Sequence, residues 1–346
     1  MSSLATGSTT LRRARADTVH WIQRGVTPFI KSSPGMGKSA MVRSIANEYN
    51  LQLLDVRLST CAPEDLNGLP MLVDGVARFV PFANFPLEST PLPEGKNGWL
   101  LFLDEANSAP KSVQAACYKI VLDRQVDLYN LHPQCAIVMA GNHSTDRAIV
   151  NSLSTAMQSR LATINVELNF QEFMEDVCYP QNWDSRIIAY LQYMPSKLHI
   201  FRPDHQNDTF ECPRTWEFVN RCVAGVKELD LDMLRRIGQV ITPGVAAEFV
   251  QFSKNFDKLP RIEDIVKSPE STPLPAEREA QFATTIYLQE QTTAKNFAQT
   301  AAYANRLHTE LRVLFFRGLI RRKPALRNEA PFRQAVMDLR GQLYDS

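Results

Sequence analysis

Short apolar runs alternate with amphipathic segments through the first half of the chain. The runs have the length of buried strands and end at turn residues, and they lie at residues 28–31, 51–58, 99–103, 135–140 and 162–168. Between them, the spacing of apolar positions predicts helices at 38–49, 113–122 and 145–159. Strands that alternate with helices over about 140 residues are typical of a parallel sheet, so we predict an α/β fold.

The second half of the chain has a helical pattern. Amphipathic segments predict helices at 187–193, 215–226 and 245–256. A proline-rich stretch at 260–275 is typical of a linker or a surface loop. Beyond it, residues 277–346 favour helix, with breaks expected at Gly318 and Pro324.

Composition narrows the functional classes. Of the 346 residues, 44% are hydrophobic and 22% are charged, which supplies a packed core and excludes disorder of the whole chain. The 38 basic and 37 acidic residues leave a net charge of +1, which argues against general coating of nucleic acid. The longest purely apolar run, 135–140, is too short to span a membrane.

The cysteines and the N-terminus bear on the compartment. Six cysteines are scattered without a C-x-x-C pair, which favours reduced thiols in a cytoplasmic protein. The first 16 residues are rich in Ser and Thr and carry three arginines, a composition that resembles a transit peptide but has no apolar segment for secretion. We expect residues 1–24 to form a mobile tail that leads into the first domain.

One segment carries the clearest chemistry. Residues 32–39 read Ser-Ser-Pro-Gly-Met-Gly-Lys-Ser between a short strand and a helix, which is the setting of a P-loop. Gly35 and Gly37 allow successive N–H groups to surround phosphates, and the helix adds its positive end. Lys38 would reach the β- and γ-phosphates, and the Ser39 hydroxyl would bind Mg²⁺. Ser32 replaces the first glycine of the motif. The residues expected to bind the nucleotide are Ser33, Pro34, Gly35, Met36, Gly37, Lys38, Ser39 and Ala40.

Two acids follow the apolar run at 100–103. Carboxylates at the end of a buried strand lie at the carboxyl edge of a parallel sheet, where ligands of α/β proteins bind. Asp104 would hold Mg²⁺ together with Ser39, and Glu105 would polarise the attacking water. A strand that simply ends in a solvated acid is the alternative interpretation.

Three further side chains are candidates for the same reaction. Asn142 follows an apolar strand, and its amide could bridge the water and the γ-phosphate, although an Asn in this place is commonly a turn residue. Arg160 and Arg214 flank predicted elements, and either guanidinium could bind phosphate or serve in a surface ion pair.

Together these residues resemble an AAA+ ATPase, and more narrowly the MoxR-like group. The resemblance spans about residues 25–254, and it is carried by the stretches 33–39, 63–68 with the hairpin-like 71–81, 104–126, 140–142, 159–161 and 212–214. It implies an AAA+ core at 25–170, a helical lid at 171–256, and a linker with a helical extension at 257–346.

The resemblance also implies roles and partners. Asn142 matches sensor 1, Arg160 the arginine finger that acts on a neighbouring subunit, and Arg214 sensor 2; Arg147 is the second candidate for the finger. An arginine that acts in trans implies a homo-oligomer, typically a hexamer, which hydrolyses ATP with Mg²⁺. Proteins of this group often remodel a partner with a von Willebrand A domain. The hairpin would face the pore or a client, or it is a plain surface hairpin.

Other functions remain open at this point. Residues 311–328 hold six basic side chains and no acid, which could bind nucleic acid or an acidic partner, although a structural role is favoured. The competing hypotheses are a nucleic-acid motor or loader and a nucleotide-gated scaffold without hydrolysis. Glu105, Asn142 and Arg160 argue against the scaffold.

Overall fold

The protein is described by a computed structural model that covers residues 7–143 and 151–339. The chain divides into two compact units, one made of residues 1–169 and 202–205 and the other of 170–201 and 206–346. The division lies next to residue 170, where the sequence predicts the end of the core. Within the described residues, no helix is long and apolar enough to cross a membrane.

The first unit contains the predicted core strands and helices in their predicted order, together with an N-terminal strand and helix and some short elements that the pattern does not predict. Its strands are β1 (Ser8–Thr9), β2 (Thr27–Lys31), β3 (Gln52–Arg57), β4 (Leu69–Val73), β5 (Val76–Val80), β6 (Trp99–Asp104), β7 (Gln125–Val126), β8 (Tyr129–Asn130), β9 (Cys135–Gly141) and β10 (Leu161–Val166). Its helices are α1 (Leu11–Ile22), α2 (Lys38–Glu48), α3 (Pro63–Asn67), α4 (Lys111–Leu122) and α5 (Thr155–Gln158).

Six strands form one parallel sheet in the order β1-β10-β2-β9-β6-β3. The chain runs from β2 out to the edge strand β3, returns through β6 to β9 beside β2, and then crosses to β10 on the other side of β2. The order of strands therefore reverses at β2. In open α/β sheets, ligands bind at the carboxyl ends of the strands at such a point.

Both faces of the sheet are covered by helices. Leu100 and Phe102 of β6 pack in a buried cluster with residues of α1 and α2, whereas Leu101 and Leu103 pack in a second cluster with residues of α4. Successive strand residues point to opposite faces, so these continuous apolar runs fill two cores. The predicted α/β fold with a parallel sheet is confirmed.

The N-terminal segment differs from its prediction. β1 extends the sheet by pairing with β10, and α1 buries Ala14 and Thr18 completely. The expectation of a mobile tail is therefore wrong for residues 8–22. The buried side chains of α1 are small, so the helix has only a weak apolar pattern.

A second difference lies before β10. The sequence predicts a helix at 145–159, of which residues 145–150 lie outside the described part of the chain. The described remainder is helical only over α5, Thr155–Gln158, which Ser154 caps by accepting a hydrogen bond from the N–H of Met157.

The second unit is mainly helical over its described residues, as predicted. They are α6 (Phe170–Phe173), α7 (Ser185–Tyr193), α8 (Pro213–Val223), α9 (Leu231–Ile237), α10 (Pro243–Ser253), α11 (Ile262–Lys267), α12 (Arg278–Gln291), α13 (Phe297–Ala304), α14 (Thr309–Arg322) and α15 (Ala330–Asp338). One turn of π-helix, Met174–Cys178, follows α6, and short 3₁₀ turns lie at Pro195–Leu198, Lys254–Lys258 and Pro324–Asn328. Helix α12 packs against both α7 and α14.

Two details of this unit correct the sequence analysis. The stretch at 260–275 contains the helix α11, with Ile265 fully buried. The break at Pro324 is confirmed, but Gly318 lies inside α14. A Cβ atom at Gly318 would lie 2.2 Å from Nε2 of Gln289, so the glycine provides space for a neighbouring helix.

Candidate active site

The loop after β2 has the backbone that its glycines predict. Gly35 and Gly37 have φ angles of 77° and 89°, in the left-handed region that glycine adopts without strain. Gly37 forms the N-cap of α2, and Lys38 is the first helical residue. Among the other residues expected at the nucleotide, Met36 is buried, Ser33 and Pro34 are half-buried, and Ala40 is exposed.

Lys38 is held by the loop itself. Its Nζ donates to the main-chain oxygen and to the hydroxyl of Ser32, both at 2.9 Å, and to Oδ1 of Asn142 at 3.2 Å. Ser32 is fully buried. The residue that departs from the P-loop pattern therefore supplies an oxygen to the ammonium group.

The first carboxylate lies where the sequence predicts it. The hydroxyl of Ser39 donates to Oδ2 of Asp104 at 3.0 Å. Because β2 and β6 run parallel in one sheet, the start of α2 and the end of β6 meet at the same edge. A hydroxyl and a carboxylate oxygen are the kinds of ligand that Mg²⁺ prefers, and at this separation both could bind one ion, so the pair fits the predicted metal.

Glu105 follows with a constrained backbone. Its φ angle is 57°, and its N–H donates to Oδ1 of Asp104 at 2.8 Å. A positive φ in a residue other than glycine is uncommon and indicates a position fixed by its surroundings. The carboxylate accepts a hydrogen bond from the hydroxyl of Ser59, which lies just beyond β3.

A buried asparagine that the sequence analysis did not select orients Asn142. Nδ2 of Asn107 donates to the main-chain oxygen of Asn142 at 2.7 Å, and Oδ1 of Asn107 accepts from its N–H at 3.0 Å. A Cβ atom at Gly141 would lie 2.3 Å from Oδ1 of Asn107, so the glycine permits this approach. Asn107 is 4% exposed. An Asn two residues after the acidic pair is the only sequence cue, because its partner is distant in the chain.

One candidate arginine, Arg160, lies in a different part of the first unit. Arg160 is exposed and donates to the main-chain oxygen of Ala156. It directly precedes Leu161, which pairs with Thr27 at the amino end of β2, whereas the P-loop follows Lys31 at the other end. Four residue steps along a strand span about 13 Å, so Arg160 and the P-loop lie at opposite edges of the sheet. Arg147 lies outside the described residues.

Arg214 belongs to the second unit. It is exposed in the first turn of α8, a helix whose N-terminus is fixed by a hydrogen bond from the N–H of Cys212 to Oγ1 of Thr215 at 2.9 Å. The residues that the fold brings together are Lys38, Ser39, Asp104, Glu105 and Asn142, and Arg160 lies apart from that cluster.

These features define a parallel α/β sheet with a P-loop turn between β2 and α2 and an acidic pair beside it. No protein-family model matches the chain, and no curated protein matches it either. The solved structures include similar folds. One, described as a proposed ATPase from Cytophaga hutchinsonii, is 14% identical, with 97% of this chain and 90% of that chain covered and a TM-score of 0.38.

Two further similar structures are of RuvB from Thermotoga maritima. One of them, a point mutant, is 14% identical, with 95% of this chain and 87% of that chain covered and a TM-score of 0.38. The other, described as the Holliday junction branch migration motor, is 13% identical, with 95% of this chain and 86% of that chain covered and a TM-score of 0.32. Likeness at this level carries no argument about function.

Proposed function

We propose that this chain is an AAA+ ATPase of the MoxR-like group, which hydrolyses ATP in an oligomeric ring and remodels a protein partner. The observation that carries the proposal is the 3.0 Å hydrogen bond from Ser39 to Asp104, with Lys38 adjacent to Ser39 at the start of α2. These groups are the cation, hydroxyl and carboxylate that phosphoryl transfer needs around a triphosphate and its magnesium.

Each residue of the cluster then has a chemical task. Lys38 would leave the oxygens of Ser32 and neutralise charge on the β- and γ-phosphates. Glu105 would accept a hydrogen bond from the attacking water and orient it, after giving up its contact with Ser59. Asn142, held by Asn107, would fix the water relative to the γ-phosphate. Bound Mg²⁺, held by Ser39 and Asp104, would supply further neutralisation of the phosphate charge.

The position of Arg160 supports a ring. The P-loop and Arg160 lie at opposite edges of one sheet, so the guanidinium would not contact a nucleotide bound at the P-loop of its own subunit. An exposed arginine on the far edge can reach the nucleotide of a neighbour, as the arginine finger of this group does. We propose a hexamer, with Arg214 as the sensor of the helical lid.

The hairpin of β4 and β5 supports a protein client. Its two strands pair from Leu69–Val80 to Val73–Val76 and carry five large apolar side chains that are 44–77% exposed. They are Leu69, Met71, Leu72, Val76 and Phe79. A projecting group of exposed apolar residues is typical of a protein-binding surface. A von Willebrand A domain is the partner that the resemblance suggests.

The basic segment 311–328 gives little support to the alternative of a nucleic-acid motor. Arg317 and Arg321 both donate to the buried carboxylate of Glu175, at 3.2 and 2.8 Å. Arg317 and Arg321 are therefore engaged within their own unit, which favours a structural role for these two side chains over contact with nucleic-acid phosphates.

Turnover of ATP by three purified proteins tests the catalytic part. Glu105→Gln is expected to lower kcat by about 10²-fold or more while ATP still binds, and Lys38→Ala is expected to lose nucleotide affinity. Glu94→Gln, at an exposed acid in the loop before β6 and thus at the other end of that strand from Asp104, is the matched control and should keep full turnover. Unchanged turnover in Glu105→Gln would refute the assignment.

A mixing experiment tests the ring. Arg160→Ala and Lys38→Ala are each expected to be inactive, but a mixture should recover part of the turnover, since a Lys38→Ala subunit supplies Arg160 to a neighbour with an intact P-loop. If the mixture recovers no ATP turnover and the protein remains monomeric in the presence of ATP, the trans arrangement is contradicted. Stimulation by a protein client, and not by DNA or RNA across a salt series, is expected for the remodelling role.

A further inference from the structure

A cleft of about 480 Å³ lies within the second unit, and its lining includes none of the residues of the candidate active site. We call it the Arg322 cleft, and its walls are formed by Asn182, Trp183, Asp184, Ser185, Arg186, Val226, Lys227, Phe256, Glu290, Arg322 and Lys323. Its volume is in the range of small-molecule sites. Two aromatic residues and several charged ones share the lining.

Positive charge exceeds negative charge in this cleft. Four lining residues are basic and two are acidic. One acid is already used, because Asp184 accepts from Nε and Nη2 of Arg186 at 2.8 and 2.6 Å. The other, Glu290, accepts from the hydroxyl of Ser185 at 2.6 Å. Lys227, Arg322 and Lys323 therefore face one remaining carboxylate.

Arg322 is the unusual member of the set. Nε and Nη2 of its guanidinium are buried and have no hydrogen-bond partner within residues 7–143 and 151–339. Burial lowers the pKa of Arg322 below its ordinary value. Buried N–H groups of a cation are costly to leave without a hydrogen bond, and the contact that the described chain gives this guanidinium is the ring of Tyr179, whose centroid lies 5.6 Å from Cζ.

The neighbouring basic residues show the contrast. Earlier on α14, Arg317 and Arg321 share the carboxylate of Glu175. Lys323 donates its Nζ to the main-chain oxygens of Glu290 and Thr292, which carry no full charge. Burial, and secondarily the charge of Arg322, lowers the pKa of Lys323. Among the described residues, Arg322 and Lys323 at the end of α14 thus share the nearby charge of Glu290 rather than having a carboxylate each.

We propose that the Arg322 cleft binds a small molecule through a phosphate group, which Arg322, Lys323 and Lys227 receive while Trp183 and Phe256 line its apolar part. Arg presents a planar set of donors that matches phosphate, and charge-assisted hydrogen bonds are strong at a partly desolvated site. The proposal concerns a second site, and it does not depend on the reaction at the P-loop.

Calorimetric titration of the full chain tests this site. Lys38→Ala serves as the background, so that the P-loop contributes little, and the titrants are inorganic phosphate, pyrophosphate and adenosine monophosphate at constant ionic strength. Saturable binding is expected. Adding Arg322→Gln should weaken it by about tenfold, and adding Lys227→Gln should weaken it severalfold. Arg235→Gln, an exposed arginine of the same unit outside the cleft, should leave the affinity unchanged.

The three titrants distinguish the source of the phosphate. Equal affinity for all three points to free phosphate, and a gain with adenosine monophosphate points to a nucleotide that also contacts the aromatic residues. Absence of saturable binding overturns the proposal, as does tighter binding of a glutamate-rich peptide than of any phosphate. If Arg322→Gln does not fold, Lys227→Gln is the deciding variant, because Lys227 is exposed and its substitution should not disturb the fold. An unchanged affinity in Lys227→Gln overturns the proposal.

Discussion

Asn107→Ala removes the side chain that holds the main chain of Asn142. Two hydrogen bonds, at 2.7 and 3.0 Å, are lost from a residue that is 4% exposed. At about 1 kcal/mol each, the free energy of unfolding should fall by about 2 kcal/mol. The amide of Asn142 also loses its fixed place beside Lys38, and displacement of a group that positions a reactant costs about tenfold or more in rate.

Steady-state ATPase kinetics and urea unfolding of the same samples measure both effects. Gln114→Ala is the matched control: Gln114 is a buried amide, 7% exposed, that donates to the main-chain oxygen of Ala109 at 3.2 Å. Both variants should lose stability, but only Asn107→Ala should lose kcat with a nearly unchanged KM. Asn107→Asp keeps the acceptor for the N–H of Asn142 but places a carboxylate oxygen opposite its main-chain oxygen in place of the donor, so kcat should fall in this variant as well. If both alanine variants turn over equally, Asn107 has a structural role alone and the reasoning is refuted.

Two other measurements address the fold. Gly318→Ala should lower the free energy of unfolding by about 1–3 kcal/mol, because its Cβ would lie 2.2 Å from Gln289. Gly244→Ala is the control and should be neutral or stabilising, because no atom lies within 4 Å of the new Cβ. Equal effects of the two substitutions on stability would contradict the packing argument. Burial raises the pKa of Cys117 from 9.0 to about 12 and that of Tyr179 from 10.0 to about 12. Since the unfolded chain releases these protons first, the melting temperature should fall as pH rises from about 9 towards 12, and a melting temperature that stays constant over this interval would show that other groups dominate.

The extent of agreement between sequence and structure follows from the range of the interactions. The apolar runs of β6 and β9 place those strands to within a residue or so, because both strands are buried on two faces and leave an unbroken pattern. The meeting of Ser39 with Asp104 could be predicted because parallel strands end at one edge.

The failures have equally specific causes. Asn107 could not be selected from the sequence, because its role depends on a hydrogen bond with Asn142, which is 35 residues away in the chain. Gly318 suggests a helix break by propensity, but it is required in the interior of α14 by the approach of Gln289 from α12. Helix α1 buries Ala14 and Thr18, which are too small to give a clear apolar period.

The register of β10 on β2 has a mechanical consequence. The paired strands β2 and β10 join the P-loop to Arg160 at the far edge of the sheet, so in the proposed ring the two ends of one subunit would contact different nucleotides. A slight tilt of one subunit would displace its distal guanidinium while leaving its own loop intact. Substitutions that weaken the pairing of β2 with β10 should therefore reduce the coordination of ATP hydrolysis between subunits before they reduce the affinity for ATP.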